Sequence, residues 1–133
     1  MTGWIQHLAL LCWGPAGVTP QTRVHTLQQT LTFGPVDDPR SALDRLFELG
    51  QHALREPTPF FPAISLAFAR KQDLTKAEDL WSPRRAGQWS ESDRPEIERV
   101  WRGRESPIAS DAFEHLALAV FDPMLAACEI SRV

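Results

Sequence analysis

Metal-dependent cleavage of a phosphodiester needs carboxylates held close together, often with a lysine two residues after one of them to steady the attacking water. Pro35-Val36-Asp37 offers a first acid after a β-rich stretch. The chain has only two lysines, Lys71 and Lys76, and the positions two residues before them are Ala69 and Leu74. The acid–x–Lys pair is therefore missing. An aspartate that follows a strand is more often a turn or cap residue, and Asp37 is read that way.

The other chemistries have as little support. His7, His25, His52 and His115 stand apart from one another and from both cysteines, so no zinc-ligand spacing occurs, nor an H-E-x-x-H helix. Cys12 has no acid–base partner near it in sequence for nucleophilic work. The seven glycines are scattered and no G-K-[ST] loop is present to cradle a phosphate. A small metal- or thiol-dependent hydrolase is thus the weakest reading. No metal, no cofactor and no catalytic residue is expected.

One stretch has binding chemistry. Residues 84 to 104 hold six arginines, with Trp89 and Trp101 among them. Guanidinium groups bind phosphates and indoles stack bases, so Arg84, Arg85, Trp89, Arg102 and Arg104 are candidates for contact with DNA or a partner protein. Against this, Glu91, Asp93, Glu96 and Glu98 lie in the same stretch. A solvated helix face with i,i+3 and i,i+4 ion pairs explains the pattern more simply. Trp101 has core spacing with Ile97, which favours packing over stacking, and Trp-Arg pairs also serve as protein–protein anchors.

These residues need elements to hold them. The chain has 133 residues, 43% hydrophobic and 23% charged, with a formal net charge of -3. That is ordinary globular composition for one domain, and no whole-chain attraction to nucleic acid is expected. Twelve of the fourteen basic residues are arginine, the side chain better suited to planar ion pairs and interfaces. Cys12 and Cys128 make no disulfide framework and read as buried thiols in apolar helical surroundings. The start lacks a basic n-region, and Leu8 to Trp13 is too short to span a membrane, so the cytoplasm is the expected location.

Helical spacing predicts a first helix from Trp4 to Trp13, on Trp4, Ile5, Leu8, Ala9, Leu11 and Cys12. Thr22 to Phe33 alternates like β structure and is either one bent strand or a hairpin turning near Gln28-Gln29. Asp38 and Pro39 open a helix to about Arg55, with Leu43, Leu46, Phe47, Gly50 and Leu54 on one stripe. Pro57-Thr-Pro-Phe-Phe-Pro62 is an extended linker, and Pro62 starts a helix to about Lys71. Thr75-Lys-Ala-Glu78 reads as a capping box before a helix ending at Trp81, and 82–94 as a loop. Asp93 and Pro95 open the next helix, with Ile97, Val100 and Trp101 on one face. Ser110 caps the last, which Pro123 kinks or restarts with Asp122 as a new cap. The expected class is α+β, mainly helical, with about six helices and one strand or hairpin, forming a single segment over 1–133. A lone hairpin is marginal and wants a sheet to join.

Three stretches in order resemble the C-terminal region of the exodeoxyribonuclease V gamma chain, the RecC subunit of the RecBCD helicase–nuclease. Leu43 to Pro62 ends in Arg55-Glu-Pro-Thr-Pro-Phe-Phe-Pro62, similar to the family's leucine-rich helix closed by an REPLPFFP-like run, with Thr58 for the usual leucine. Val100-Trp-Arg-Gly103 follows an acidic, proline-containing loop, as in the family. Phe113-Glu-His-Leu-Ala117 to Phe121-Asp-Pro123-Met-Leu125 is similar to its final helix. Trp4-Ile-Gln-His-Leu-Ala9 also looks like the helix before the family's last strands.

The resemblance implies the back part of a restriction-endonuclease-like domain without catalytic residues. It implies a scaffold for the beta chain (RecB, helicase and nuclease) and the alpha chain (RecD, second helicase), alongside the rest of the gamma chain. That subunit helps split the duplex and recognises Chi; no Chi-contacting residue carries over here. Family proteins are many times longer, so the chain is expected to represent their C-terminal part. Phe60, Phe61 and Trp101 are the expected structural anchors. The other reading is a stand-alone helical protein-interaction module.

Overall fold

The computed structural model describes residues 1–17, 20–82 and 87–132. Six α-helices and one three-stranded antiparallel sheet make a mainly helical α+β chain. It divides into two compact units, Met1–His52 with Asp122–Val133, and Ala53–Phe121.

The first unit is a sheet with a helix on one face. Thr22–His25 (β1) and Gln29–Phe33 (β2) form the hairpin alternative, closed by Thr26. Its hydroxyl donates to the Gln29 carbonyl at 2.8 Å and accepts the Gln29 N–H at 3.1 Å. The hairpin is not alone. Cys128–Arg132 (β3) pairs antiparallel with β2, giving the order β1-β2-β3. The register sets Val24, Leu31 and Ile130 in one row and Thr22, Phe33 and Cys128 in the next on the same face. The opposite face carries Arg23, Thr30, Thr32, Glu129 and Ser131 and is polar.

Thr2–Trp13 (α1) packs on the apolar face through Trp4, His7 and Leu8, all buried. The Trp4 ring lies 5.6 Å from that of Phe33. Close approach depends on Gly3, where a Cβ would stand 2.6 Å from Val24 Cγ2. Ile5, expected on an apolar row, is exposed, because the buried face turns through His7 instead. The expectation that both cysteines are buried in helices is corrected. Cys12 and Cys128 are both half-exposed, and Cys128 opens a strand.

Pro39–Ala53 (α2) has its boundaries near those expected, and the Asp38 carboxylate accepts the Ser41 N–H at 3.0 Å as its cap. Its stripe behaves differently from the expectation for a core helix. No residue of α2 is buried and Phe47 is 67% exposed, whereas Leu54, expected on the same stripe, lies past the end of the helix.

The second unit has its own core of Phe61, Ile64, Phe68, Ala77, Trp81, Ile108, Phe113 and Ala117. Pro62–Lys71 (α3) starts at Pro62, whose fixed φ suits the first turn. Leu74–Trp81 (α4) is capped by Asp73, which accepts the Lys76 N–H at 3.0 Å. The Thr75 capping box does not form, because the helix begins two residues earlier, with Asp73 and not Thr75 as its N-cap. The expected loop after Trp81 includes a 3-10 turn at Glu91–Asp93, where Ser90 and Asp93 make a capping box. Asp93 is thereby taken from Pro95–Trp101 (α5), whose N-cap is Arg94 without a side-chain bond. Ile97 and Trp101 pack on the core, whereas Val100 is exposed.

Asp111–Ala126 (α6) follows Ser110, which accepts the Phe113 N–H at 3.2 Å. The helix runs through Pro123 without restarting at Asp122. Proline removes one helical hydrogen bond, and burial of Val120, Phe121 and Met124 around it keeps the helix continuous.

Candidate nucleic-acid and partner interface

β2 delivers Asp37 to the mouth of a cleft of about 380 Å³, lined also by Val36, Asp38, Ser41, Ala42 and Arg45. Asp38 is occupied as the α2 cap, and Asp37 is exposed in the loop before it. Among the described residues, no three His, Cys, Asp or Glu side chains gather as metal donors. This arrangement positions a helix start and supplies no pair of acids with a lysine.

His7 has a packing role. Its Nε2–H donates to the Gly34 carbonyl at 2.7 Å and Nδ1 bonds the Thr22 hydroxyl at 3.0 Å, with the ring packed against both Trp4 and Phe33. It ties α1 to both ends of the hairpin. The sequence marks it only as a histidine without partners, because those partners lie 15 and 27 residues away.

The arginine-rich stretch resolves into distinct situations. Arg84 and Arg85 lie outside the described residues. Arg102 donates to Glu98 at 2.8 Å in an exposed i,i+4 pair, the solvated-face arrangement. Arg104 lies over the Trp101 ring at 5.9 Å, and Trp101 packs edge-on against Phe61 at 6.2 Å. That indole faces the core on one side and a guanidinium on the other. Trp89 differs: it is 62% exposed, with the Arg94 guanidinium 5.6 Å from its centroid. Arg94 was not among the sequence candidates, although its five-residue distance from Trp89 across a turn was a usable signal.

The acids of this stretch do not simply neutralise it. Glu91 is buried and accepts the N–H groups of Ala63 and Ile64, both at 3.0 Å. Asp93 accepts the Ser90 N–H at 2.8 Å. Each carboxylate has a backbone task before any arginine reaches it.

Phe60 and Phe61 leave the proline-rich linker in different directions. Phe61 is buried 4.6 Å from Trp81, in the second unit's core. Phe60 is half-buried and stacks on Phe121 at 5.8 Å. Trp13 and Arg40 form a further pair at 5.4 Å in the first unit, 27 residues apart in sequence and invisible to any local pattern.

No curated protein and no solved structure matches the chain. The likeness to restriction-endonuclease-like domains therefore rests on the sequence resemblance alone. A family model does match, over residues 1–73, which span α1, the hairpin, α2 and α3 and include the Arg55–Pro62 run; the Val100–Gly103 and Phe113–Leu125 stretches lie outside it. That match covers more than half of the 133 residues, and the chain belongs to the family described as the RecC C-terminal domain.

Proposed function

We propose that this chain is a non-catalytic scaffold and DNA-handling segment of an exodeoxyribonuclease V complex of RecBCD type. In this reading it acts in the cytoplasm, in double-strand break repair by homologous recombination. It neither cuts DNA nor hydrolyses ATP itself and works through the beta and alpha chains and the rest of the gamma chain.

The observation that carries the reading is α2. The helix lies within the family-matched region and has a strongly amphipathic sequence, yet none of its residues is buried. A helix with an apolar stripe but no buried residue, and with Phe47 on that stripe 67% exposed, marks a protein-contact surface. Leu43, Phe47 and Gly50 fall on one side at helical spacing, the geometry of a helix laid against a partner.

Co-expression with the beta and alpha chains tests it. Phe47→Glu leaves an exposed position exposed and should abolish capture while preserving the circular-dichroism spectrum. Capture undiminished in this variant would remove α2 as the docking surface. Absence of capture for the parent, together with capture of unrelated helical partners, would favour the stand-alone interaction module.

A further inference from the structure

We infer that Trp89 and Arg94 form a stacking platform for one unpaired nucleotide of single-stranded nucleic acid. The inference deepens the DNA-handling role proposed above and rests on it. Its support is independent of α2, because it comes from how Trp89 is held.

An indole 62% exposed in a loop is normally tethered loosely. Trp89 instead precedes a segment fixed on three sides. The Ser90 hydroxyl donates to the carbonyls of Leu80 at 2.7 Å and Trp81 at 3.1 Å, and the Ser92 hydroxyl donates to Trp81 at 2.7 Å. Glu91 is locked against the α3 N-terminus and Asp93 against Ser90. The backbone that follows Trp89 is therefore held before any ligand arrives, which lowers the ordering entropy lost on binding.

Arg94 completes the chemistry. A guanidinium beside an exposed indole supplies a cation for a phosphate next to a π-face for its base. The inward turn of Glu91 removes a carboxylate from the exposed side. The surroundings choose between ligand classes. Protein hot spots sit inside apolar, water-excluding rings of contacts. Gln88, next to Trp89 in the chain, and Arg94, over its ring, are both exposed and polar or charged. Base stacking tolerates such a solvated setting, and the pair has no fixed set of donors and acceptors for reading a base edge. Trp101 with Arg104 does not duplicate the site, because that indole is packed on Phe61.

The test is fluorescence anisotropy of a labelled oligo(dT) with the full chain at low salt, comparing parent, Trp89→Ala, Trp89→Phe and Arg94→Ala. Trp89→Ala should weaken binding about 5- to 150-fold, the span for loss of one base stack, and Trp89→Phe should restore most of it. Arg94→Ala should lower the logarithmic salt slope by about 0.7, as for one phosphate on a single strand. No oligo(dT) binding by the parent, or equal binding by Trp89→Ala, overturns the proposal. So does a Trp89→Ala variant that loses capture by the beta chain while keeping oligo(dT), which makes Trp89 a protein anchor. Failure of the α2 variant to affect capture leaves the oligo(dT) result unchanged, so the two readings fail separately.

Discussion

The Glu91 carboxylate accepts the backbone N–H of Ile64 at 3.0 Å across 27 residues of sequence, and the same oxygen takes the N–H of Ala63. Helix α3 begins with Pro62 and has no side-chain cap of its own. Its first free N–H groups would be stranded in a buried setting without an external acceptor. Glu91 supplies it, and the favourable end of the helix dipole adds to the bond.

Glu91→Ala should therefore destabilise the chain by about 2–3 kcal/mol, combining loss of a helix cap with unsatisfied buried donors. Glu91→Gln keeps an acceptor oxygen and should lose less. Urea denaturation of the two variants checks this. Equal midpoints for Glu91→Ala and the parent would refute the capping role.

The two phenylalanines of the linker should separate clearly. Phe61 is 2% exposed and sits between Trp81 and Trp101. Phe61→Ala should cost about 3–5 kcal/mol, as for a large cavity in a packed core. Phe60 has one aromatic partner, Phe121, and is only half-buried. Phe60→Ala should cost distinctly less, the stacked pair itself contributing about 0.5–1.5 kcal/mol. Equal losses in denaturant midpoint would contradict the packing described.

Phe60 and Phe61 also show what the sequence made legible. Adjacent residues in an extended, proline-restricted run point to opposite sides, so their divergence could be read directly. Their targets could not. Phe61 meets Trp81 and Trp101, which local patterning assigns to separate helices without saying that they converge. β3 was missed for a related reason: Cys128-Glu-Ile-Ser alternates correctly but follows a helix containing proline, and its pairing partner lies about a hundred residues earlier. The arginine-rich stretch was legible as composition and not as geometry, because Glu91 was read as a surface charge opposing arginines when it caps a helix. The α2 stripe was legible as a stripe; that it stays uncovered is a tertiary fact.

His7 gives a prediction with an internal control. His7→Phe retains an aromatic ring against Trp4 and Phe33 but leaves the Gly34 carbonyl and the Thr22 hydroxyl without their partner. A loss of about 1–3 kcal/mol is expected for stranded buried polar groups. Adding Thr22→Val removes one of the stranded groups, so the double variant should recover part of the loss. A double variant that is additive or worse would show that His7 acts by shape alone.

Gly3 and Gly50 should respond to alanine with opposite signs. Both are helical, so each substitution gains up to about 1 kcal/mol of helix propensity. At Gly3 the new Cβ would stand 2.6 Å from Val24 Cγ2, so the Val24 side chain or α1 must shift, and Gly3→Ala should lower stability. At Gly50 the Cβ meets nothing within 4 Å, and the residue is not among those with positive φ. Neither backbone conformation nor packing within the chain asks for glycine there. Gly50→Ala should raise stability by about 0.5–1 kcal/mol. Gly50 lies one turn after Phe47 on the face of α2 proposed for docking, where the absent side chain would let a partner's backbone come close. The added methyl should therefore weaken capture by the beta and alpha chains while the isolated chain becomes more stable. Denaturation and co-purification on the same variant separate the two effects. A stabilised Gly50→Ala chain that is captured as well as the parent would mean that no partner approaches α2 at Gly50.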